Sequence, residues 1–286
     1  MLKNLKTELL EAYFDSQSYK AYNYYQFFRI FEKEKRDWGL KKNDSSDRAI
    51  TYVVSQGLFK LHHFFDSKGE QQYIYSYKIN EDYSILSGIK FGCYFAYASA
   101  MKFHKLTFTA DKAIYINCER QSYEPVRRNN KMTQNSIDEA FNADPKQSTN
   151  INYYKKKPVI VINGKRTDKL GVIPHIDGDN CYYYTDLERT LIDIVVRPVY
   201  AHGPKGVLKA FKKAKDRVNL KKLKNYLKEL NYAYPYQQCI GYYLDKAGYK
   251  SNQSDLFMED FKYDFYLIHG MEYPEYDKKW KLYYPE

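Results

Sequence analysis

Cysteine is scarce and scattered. Cys93, Cys118, Cys181 and Cys239 are the only four in 286 residues, and no two stand at the spacing a zinc ribbon needs. This usage argues against a disulfide scaffold and fits a reducing compartment. The six histidines form no ligand cluster either. His62 and His63 are adjacent, so on a strand they point to opposite faces. With no ligand spacing in either set, the expectation is a protein without metal or cofactor. No apolar run approaches the ~20 residues of a membrane span. Met1 to Asp15 mixes charge with leucine and lacks the apolar stretch of a signal peptide. A cytoplasmic chain with no membrane partner follows as the expectation. A phosphate-cradling loop is missing too, because Gly203-Pro204-Lys205-Gly206 has neither Walker spacing nor a following Lys-Ser/Thr.

What the chain has in abundance is tyrosine and positive charge. Aromatics make up 18%, with 33 tyrosines, and the formal net charge is +11. Tyrosine buries a ring while keeping a polar tip wet, so it can supply much of a core at low mean hydropathy. The charge favours an anionic partner without naming one. The length suits two cores, and the pattern predicts an α+β fold, with residues 1–80 as one domain and 81–286 as a larger mixed α/β domain.

Leu5 to Tyr13 reads as a first helix and Ala21 to Trp38 as a second, with Tyr24, Phe27, Phe28, Ile30 and Phe31 on its apolar side. Gly39 breaks it, and Lys41-Lys42-Asn43-Asp44 makes a polar turn. Asp44 or Ser45 can cap a third helix through Ile50, Val53 and Val54, stopped by Gly57. Leu58 to Phe65 and Tyr73 to Ile79 then form a hairpin around Asp66 to Glu70. Helix, helix, turn, helix, hairpin is the order of a winged helix-turn-helix, which puts its third helix in a DNA major groove and its wing on the backbone. The candidate DNA-binding residues are Lys41 and Lys42 in the turn, Ser45, Ser46, Arg48 and Thr51 on the third helix, and Lys60 and Lys68 on the wing. Asp44, Asp47 and Asp66 would repel phosphate, so tight binding calls for two copies on a repeated site.

Ser87 to Thr107 contains small residues (Ala96, Ala98, Ser99, Ala100) that let a helix pack closely on a sheet. Ser99 near His104 lacks a third catalytic member, and packing is the better reading. Asn129 to Asn152 is polar and reads as a long insertion or mobile loop. Lys157 to Asn163 reads as a central strand, with Asn163-Gly164 as a turn and Thr167 to Ile173 as its hairpin partner.

From Thr185 on, apolar residues fall at Leu187, Leu191, Ile194 and Val195, the stripe of a buried helix face. Thr185 and Glu188 have capping-box spacing, and Glu188, Arg189 and Asp193 are expected to be structural. Between Lys205 and Lys228 nearly every polar position is Lys or Arg, on two helices divided at Asn219. Lys209, Lys212, Lys213, Lys215 and Arg217 are the candidates there for an acidic ligand. Tyr236 to Tyr249 is a helix ended by Gly248, and Tyr263 to Pro285 reads as late strands.

Together these blocks resemble the AbiEi family of bacterial abortive-infection antitoxins. The resemblance lies in Gly57-Leu58-Phe59 leading into the wing, Tyr94 with Tyr97-Ala98-Ser99-Ala100-Met101, and His104-Lys105-Leu106-Thr107. It continues in Asp186-Leu187-Glu188-Arg189-Thr190-Leu191-Ile192-Asp193, the turn at Gly203, and Ile240-Gly241-Tyr242-Tyr243-Leu244. It implies a winged helix binding double-stranded DNA at repeats in the gene's own promoter. It also implies a non-enzymatic C-terminal antitoxin domain, in which the basic residues 209–217 become the antitoxin surface. The implied partner is a nucleotidyltransferase-like toxin encoded nearby. Two alternatives stand beside it. One is a stand-alone transcriptional regulator with a ligand-sensing or oligomerising C-terminal domain. The other is a metal-dependent nuclease using Asp260 with Lys262 or Asp277 with Lys279.

Overall fold

The structure, a computed structural model, describes residues 4–109, 112–121 and 132–286. It is mixed α+β, with eleven α-helices and twelve strands among the described residues. The chain begins with α1 (Thr7–Asp15), β1 (Ala21–Asn23), α2 (Tyr24–Glu34), α3 (Ser46–Ser55), β2 (Lys60–Asp66), β3 (Gln71–Ser76) and α4 (Asp82–Leu86). Next come β4 (Tyr94–Phe95), α5 (Ala98–Phe103), β5 (Ile114–Glu119) and α6 (Gln134–Asn142). Four strands follow: β6 (Ile151–Tyr154), β7 (Lys157–Gly164), β8 (Val172–Asp177) and β9 (Asn180–Thr185). The chain continues with α7 (Leu187–Val196), α8 (Gly203–Ala214), α9 (Leu220–Leu230), α10 (Tyr236–Lys246) and α11 (Ser251–Ser254). It closes with β10 (Phe265–Tyr266), β11 (Glu275–Asp277) and β12 (Leu282–Tyr284).

Two compact units result. The first holds residues 1–94, 150–161 and 174–184; the second holds 95–149, 162–173 and 185–286. The expected boundary at 80 therefore falls inside the first unit, which also takes in two later segments.

The core of the first unit is aromatic. Phe14, Phe27, Phe31, Trp38 and Phe59 are all buried, with ring centroids 4.6 Å apart for Phe27–Phe59 and 4.8 Å for Phe14–Phe59. The expected second helix proves shorter at both ends. Ala21 and Tyr22 pair with Ser76 and Tyr75 as β1, and Asn23 and Gln26 close a capping box that starts α2 at Tyr24. Helix α2 stops at Glu34, and Leu40 N–H bonds back to Lys35 O at 2.9 Å. Of the expected apolar side, Phe27 and Phe31 are buried while Tyr24 is 43% exposed.

Strands β1, β3, β2, β6 and β7 lie side by side in that order, each pair antiparallel. The expected hairpin is present as β2–β3. Its turn is held by Asp66 Oδ1, which accepts from Lys68 N and Glu70 N at 2.8 Å. On its other edge β2 pairs with β6, through Phe65↔Tyr153 and Asp66↔Asn152. The partner of β7 is β6, not Thr167 to Ile173. Tyr154 pairs with Lys157, and Lys155 and Lys156 between them have φ of 48° and 65°, the two positive values of a type I′ turn. Residues 168–171 form turns, and Thr167 N and Lys169 N bond to the Glu119 carboxylate instead.

The second unit has its own core, in which α7, α8, α9 and α10 contribute Leu191, Ile194, Phe211, Leu223 and Ile240. The polar 129–152 segment is largely ordered: Thr133 caps α6, and Ile137 and Phe141 are buried. Residues 129–131 of that expectation lie outside the described residues. The late strands form a three-stranded sheet, β10–β12–β11. A Cβ at Gly241 would meet the Trp280 ring at 2.1 Å, so α10 accepts this indole only because position 241 has no side chain.

Candidate nucleic-acid interface

Helix α3 starts where Ser45 Oγ accepts the Arg48 N–H at 3.4 Å, and Ala49, Ile50 and Val53 anchor it in the core. That leaves Asp47, Arg48, Thr51 and Ser55 on the exposed side. Lys41 and Lys42 are exposed in the turn before it, whose shape is set by Asp44 Oδ2 accepting Lys41 N–H at 2.7 Å. Lys60 and Lys68 are exposed at the start and the tip of the hairpin. Thr51 is exposed, but its hydroxyl donates to Asp47 O at 2.9 Å. Ser46 requires correction: it is 2% exposed and its hydroxyl is bonded to the Glu32 carboxylate, so it ties α3 to α2 and does not face outward. The acidic members have local tasks as well. Asp44 and Asp66 hold turns, and Asp47 accepts from the Tyr24 hydroxyl at 2.6 Å.

Beneath the hairpin lies a buried polar chain that sequence patterning did not signal. His62 Nε2 is 2.8 Å from Ser76 Oγ, its Nδ1 is 3.4 Å from the Tyr154 hydroxyl, and that hydroxyl donates to Asp82 Oδ1 at 3.4 Å. Burial first, and Lys60 and Lys155 after it, pull the His62 pKa down to about 4. His62 and Ser76 are buried, so this chain braces the sheet and offers no accessible nucleophile. Alternation does hold here, since His63 is exposed where His62 is not.

In the second unit the candidate basic residues separate into those engaged by neighbours and those exposed on α8. Lys213 Nζ sits 3.2 Å from the centroid of Phe108, Lys215 bonds to Gly248 O, and Arg217 Nη2 donates to His104 O at 2.9 Å. Lys209 and Lys212 are exposed on α8. Lys222, in the same basic run, lies 2.9 Å from both Asp186 Oδ2 and Glu188 Oε2.

The charged helix α7 is a structural centre. Its N-cap is Asp186, not Thr185: Asp186 Oδ1 accepts Arg189 N–H at 2.9 Å, and the Thr185 hydroxyl turns to Thr190 Oγ1 at 2.8 Å. Glu188, freed from the expected capping box, accepts the Asn219 N–H at 2.9 Å and so fixes the start of α9. Arg189 is 3% exposed; its Nε donates to Asp193 Oδ1 at 2.8 Å and its Nη1 to Leu170 O at 2.8 Å. Burial pushes the Asp193 carboxyl up, and the Arg189 guanidinium opposes that rise. Gly171 (φ 69°) packs so closely that a Cβ would meet Arg189 Cβ and the Tyr226 ring at 2.8 Å. Ser99 and His104 likewise have structural partners. Ser99 Oγ accepts Tyr115 N–H at 2.9 Å, and His104 Nε2 is 2.8 Å from Thr185 O. Of the carboxylate–lysine pairs, Asp277 Oδ1 accepts Trp280 N–H at 3.1 Å, and Lys279 bridges Asp245 and Asp255. Asp260 and Lys262 are exposed.

No protein-family model and no curated protein matches this chain.

Proposed function

We propose that the chain is a DNA-binding antitoxin that acts without catalysis, reading double-stranded repeats in its own promoter through α3 and the β2–β3 hairpin. The carrying observation is local. The order α1, β1, α2, α3, β2, β3, with β1 added beside β3, supports reading this region as a winged helix. Arg48 and Thr51 are exposed on α3, with lysines exposed in the turn before it and on the hairpin after it. The antitoxin half of the reading rests on the sequence resemblance and on the exposed basic residues Lys209 and Lys212 of α8. Its partner is a nucleotidyltransferase-like toxin encoded nearby.

The test has two arms, both with the full chain. Labelled DNA from the gene's upstream region is titrated in the presence of excess unrelated duplex, at two salt concentrations. The expected result is binding that survives the competitor. Binding that any duplex removes would reduce the chain to a basic protein without a cognate site. In the second arm the adjacent gene is expressed alone and with this chain. Relief of growth arrest that is lost in Lys209→Glu/Lys212→Glu, with promoter binding intact, is the antitoxin outcome. Promoter binding without relief leaves a stand-alone regulator.

A further inference from the structure

The β3–β2–β6–β7 face that carries His63 and Phe65 is aromatic where it faces solvent. Directly paired residues of antiparallel strands share a face. The pairs Leu61↔Tyr75, His63↔Tyr73, Phe65↔Tyr153 and Tyr153↔Pro158 therefore lie on one side. On the other side His62, Phe64, Ile74, Asn152, Tyr154 and Val159 are all buried. The helices cover only one end of the first side, where Phe27 stacks on Tyr75 at 4.7 Å. Farther along, Phe65 is 44% and Tyr153 41% exposed, with His63 and Gln71 exposed beside them. A solvated face of an antiparallel sheet normally carries polar residues; an apolar one of this kind marks a binding surface.

The surface continues into a groove of about 540 Å³ between the start of α2 and β3, lined by Tyr24, Tyr25, Gln71, Gln72, Tyr73 and their neighbours. Tyr25 is 73% exposed. The groove exists because β1 is short. It pairs with Ile74, Tyr75 and Ser76 and then gives way to α2, so β1 does not extend along Gln71–Tyr73. No ionisable carboxylate or amine lines it. Positive charge stands at the ends of the face instead. The Lys155–Lys156 turn lies toward the start of β2 and Lys68 at the hairpin tip, while Lys60, paired with Ser76, belongs to the His62 side. Lys155 is engaged by Asp82 on the opposite side, whereas Lys68 and Lys156 are exposed.

We propose that this face and groove bind single-stranded nucleic acid, its unpaired bases stacking on Phe65, Tyr153, Tyr73 and Tyr25 and its phosphates meeting Lys156 and Lys68. Flat rings without charge between them suit bases, which all have a π-face, and lysines at both ends suit a backbone crossing the sheet. Three strands span roughly 10 Å, wide enough for a short run of bases. The side-chain amide of Gln71 adds hydrogen-bonding groups for base edges. The rings of this surface are not on α3, but Lys68 belongs to the hairpin used in promoter reading, so the ring substitutions, not the lysines, separate the two.

Fluorescence anisotropy of labelled oligo-dT and oligo-rU with the full chain tests it, the two arms distinguishing DNA from RNA. Wild type should bind at least one, more weakly at high salt. Phe65→Ala/Tyr153→Ala should weaken that binding by tenfold or more, given a roughly five- to hundredfold worth for each stacked base. Phe65→Trp/Tyr153→Trp should retain it, which separates loss of rings from loss of fold. Arg48→Ala should leave it unchanged. Failure of wild type to bind either oligomer overturns the proposal, as does equal binding by the alanine pair. A change in sedimentation mass on the alanine substitution, with no change in oligomer binding, would assign the face to a second copy of the chain instead.

Discussion

Helices α3 and α7 are of equal length and similarly charged, yet they use charge in opposite ways. On α3 the apolar residues face the core, and Asp47, Arg48 and Thr51 stand in solvent. On α7 Glu188, Arg189 and Asp193 are each 5% exposed or less; Glu188 and Arg189 are bonded to neighbouring segments, and Asp193 is held by Arg189. Charge on a helix therefore says little about a site until its partners are known. An ion that is buried must be satisfied by its own fold, and what satisfies it also removes it from any ligand. The more strongly patterned helix of this sequence is the structural one, and the less distinctive helix is the one free to meet a partner.

The sharpest way to break that comparison is to remove the α7 cation. Arg189→Met leaves Asp193 buried without its partner and should cost about 3–5 kcal/mol in urea unfolding. Loss of under 1 kcal/mol would mean that the α7 ions are not what joins it to its surroundings. A pH series probes the buried polar chain of the first unit. His62 has a folded pKa of about 4, below its ordinary value of 6.5, so below pH 6.5 the unfolded chain binds more protons than the native one. Stability should fall as pH drops from about 6.5 toward about 4, and His62→Gln should flatten part of that slope. A wild-type curve flat across the window would contradict the burial of a neutral ring. On α3 the expectation reverses. Arg48→Ala should leave the melting temperature unchanged and weaken promoter binding by about 1–3 kcal/mol if the guanidinium reads a base edge. The smallest effect belongs to Ser45→Ala, about 0.5–1 kcal/mol of stability from loss of the α3 cap. A cost above 2 kcal/mol there would show Ser45 holding more than its helix.

Much of the first unit could be read in residue order because its signals are local. Helix periodicity, Ser45 as a cap, Gly57 as a stop and the Asp66–Glu70 turn all act within a few residues. The errors share a physical cause. Ala21 and Tyr22 belong to a strand because β3, far along the chain, pairs with them; nothing local announces that. The turn of β6–β7 is made by two lysines in positive φ, whereas the more typical Asn163-Gly164 dipeptide turns no hairpin with the segment after it. Ser46 has the spacing of a base-contacting residue, yet its outward position is denied by Glu32 on the preceding helix. The same long-range character hid the aromatic face. Phe65 and Tyr153 become neighbours only through the pairing of β2 with β6.

The first unit takes strand β6 and most of β8 and β9 from residues that follow the opening section of the second. During synthesis it therefore cannot be completed when residue 94 leaves the ribosome. At 5–20 residues per second, the stretch from 95 to the end of β6 at 154 occupies on the order of several seconds. Through that interval β2 waits with one edge unpaired, its aromatic side chains already made. A nascent chain of this design needs its translation to be quick, or its open strand sheltered, until Tyr153 arrives opposite Phe65.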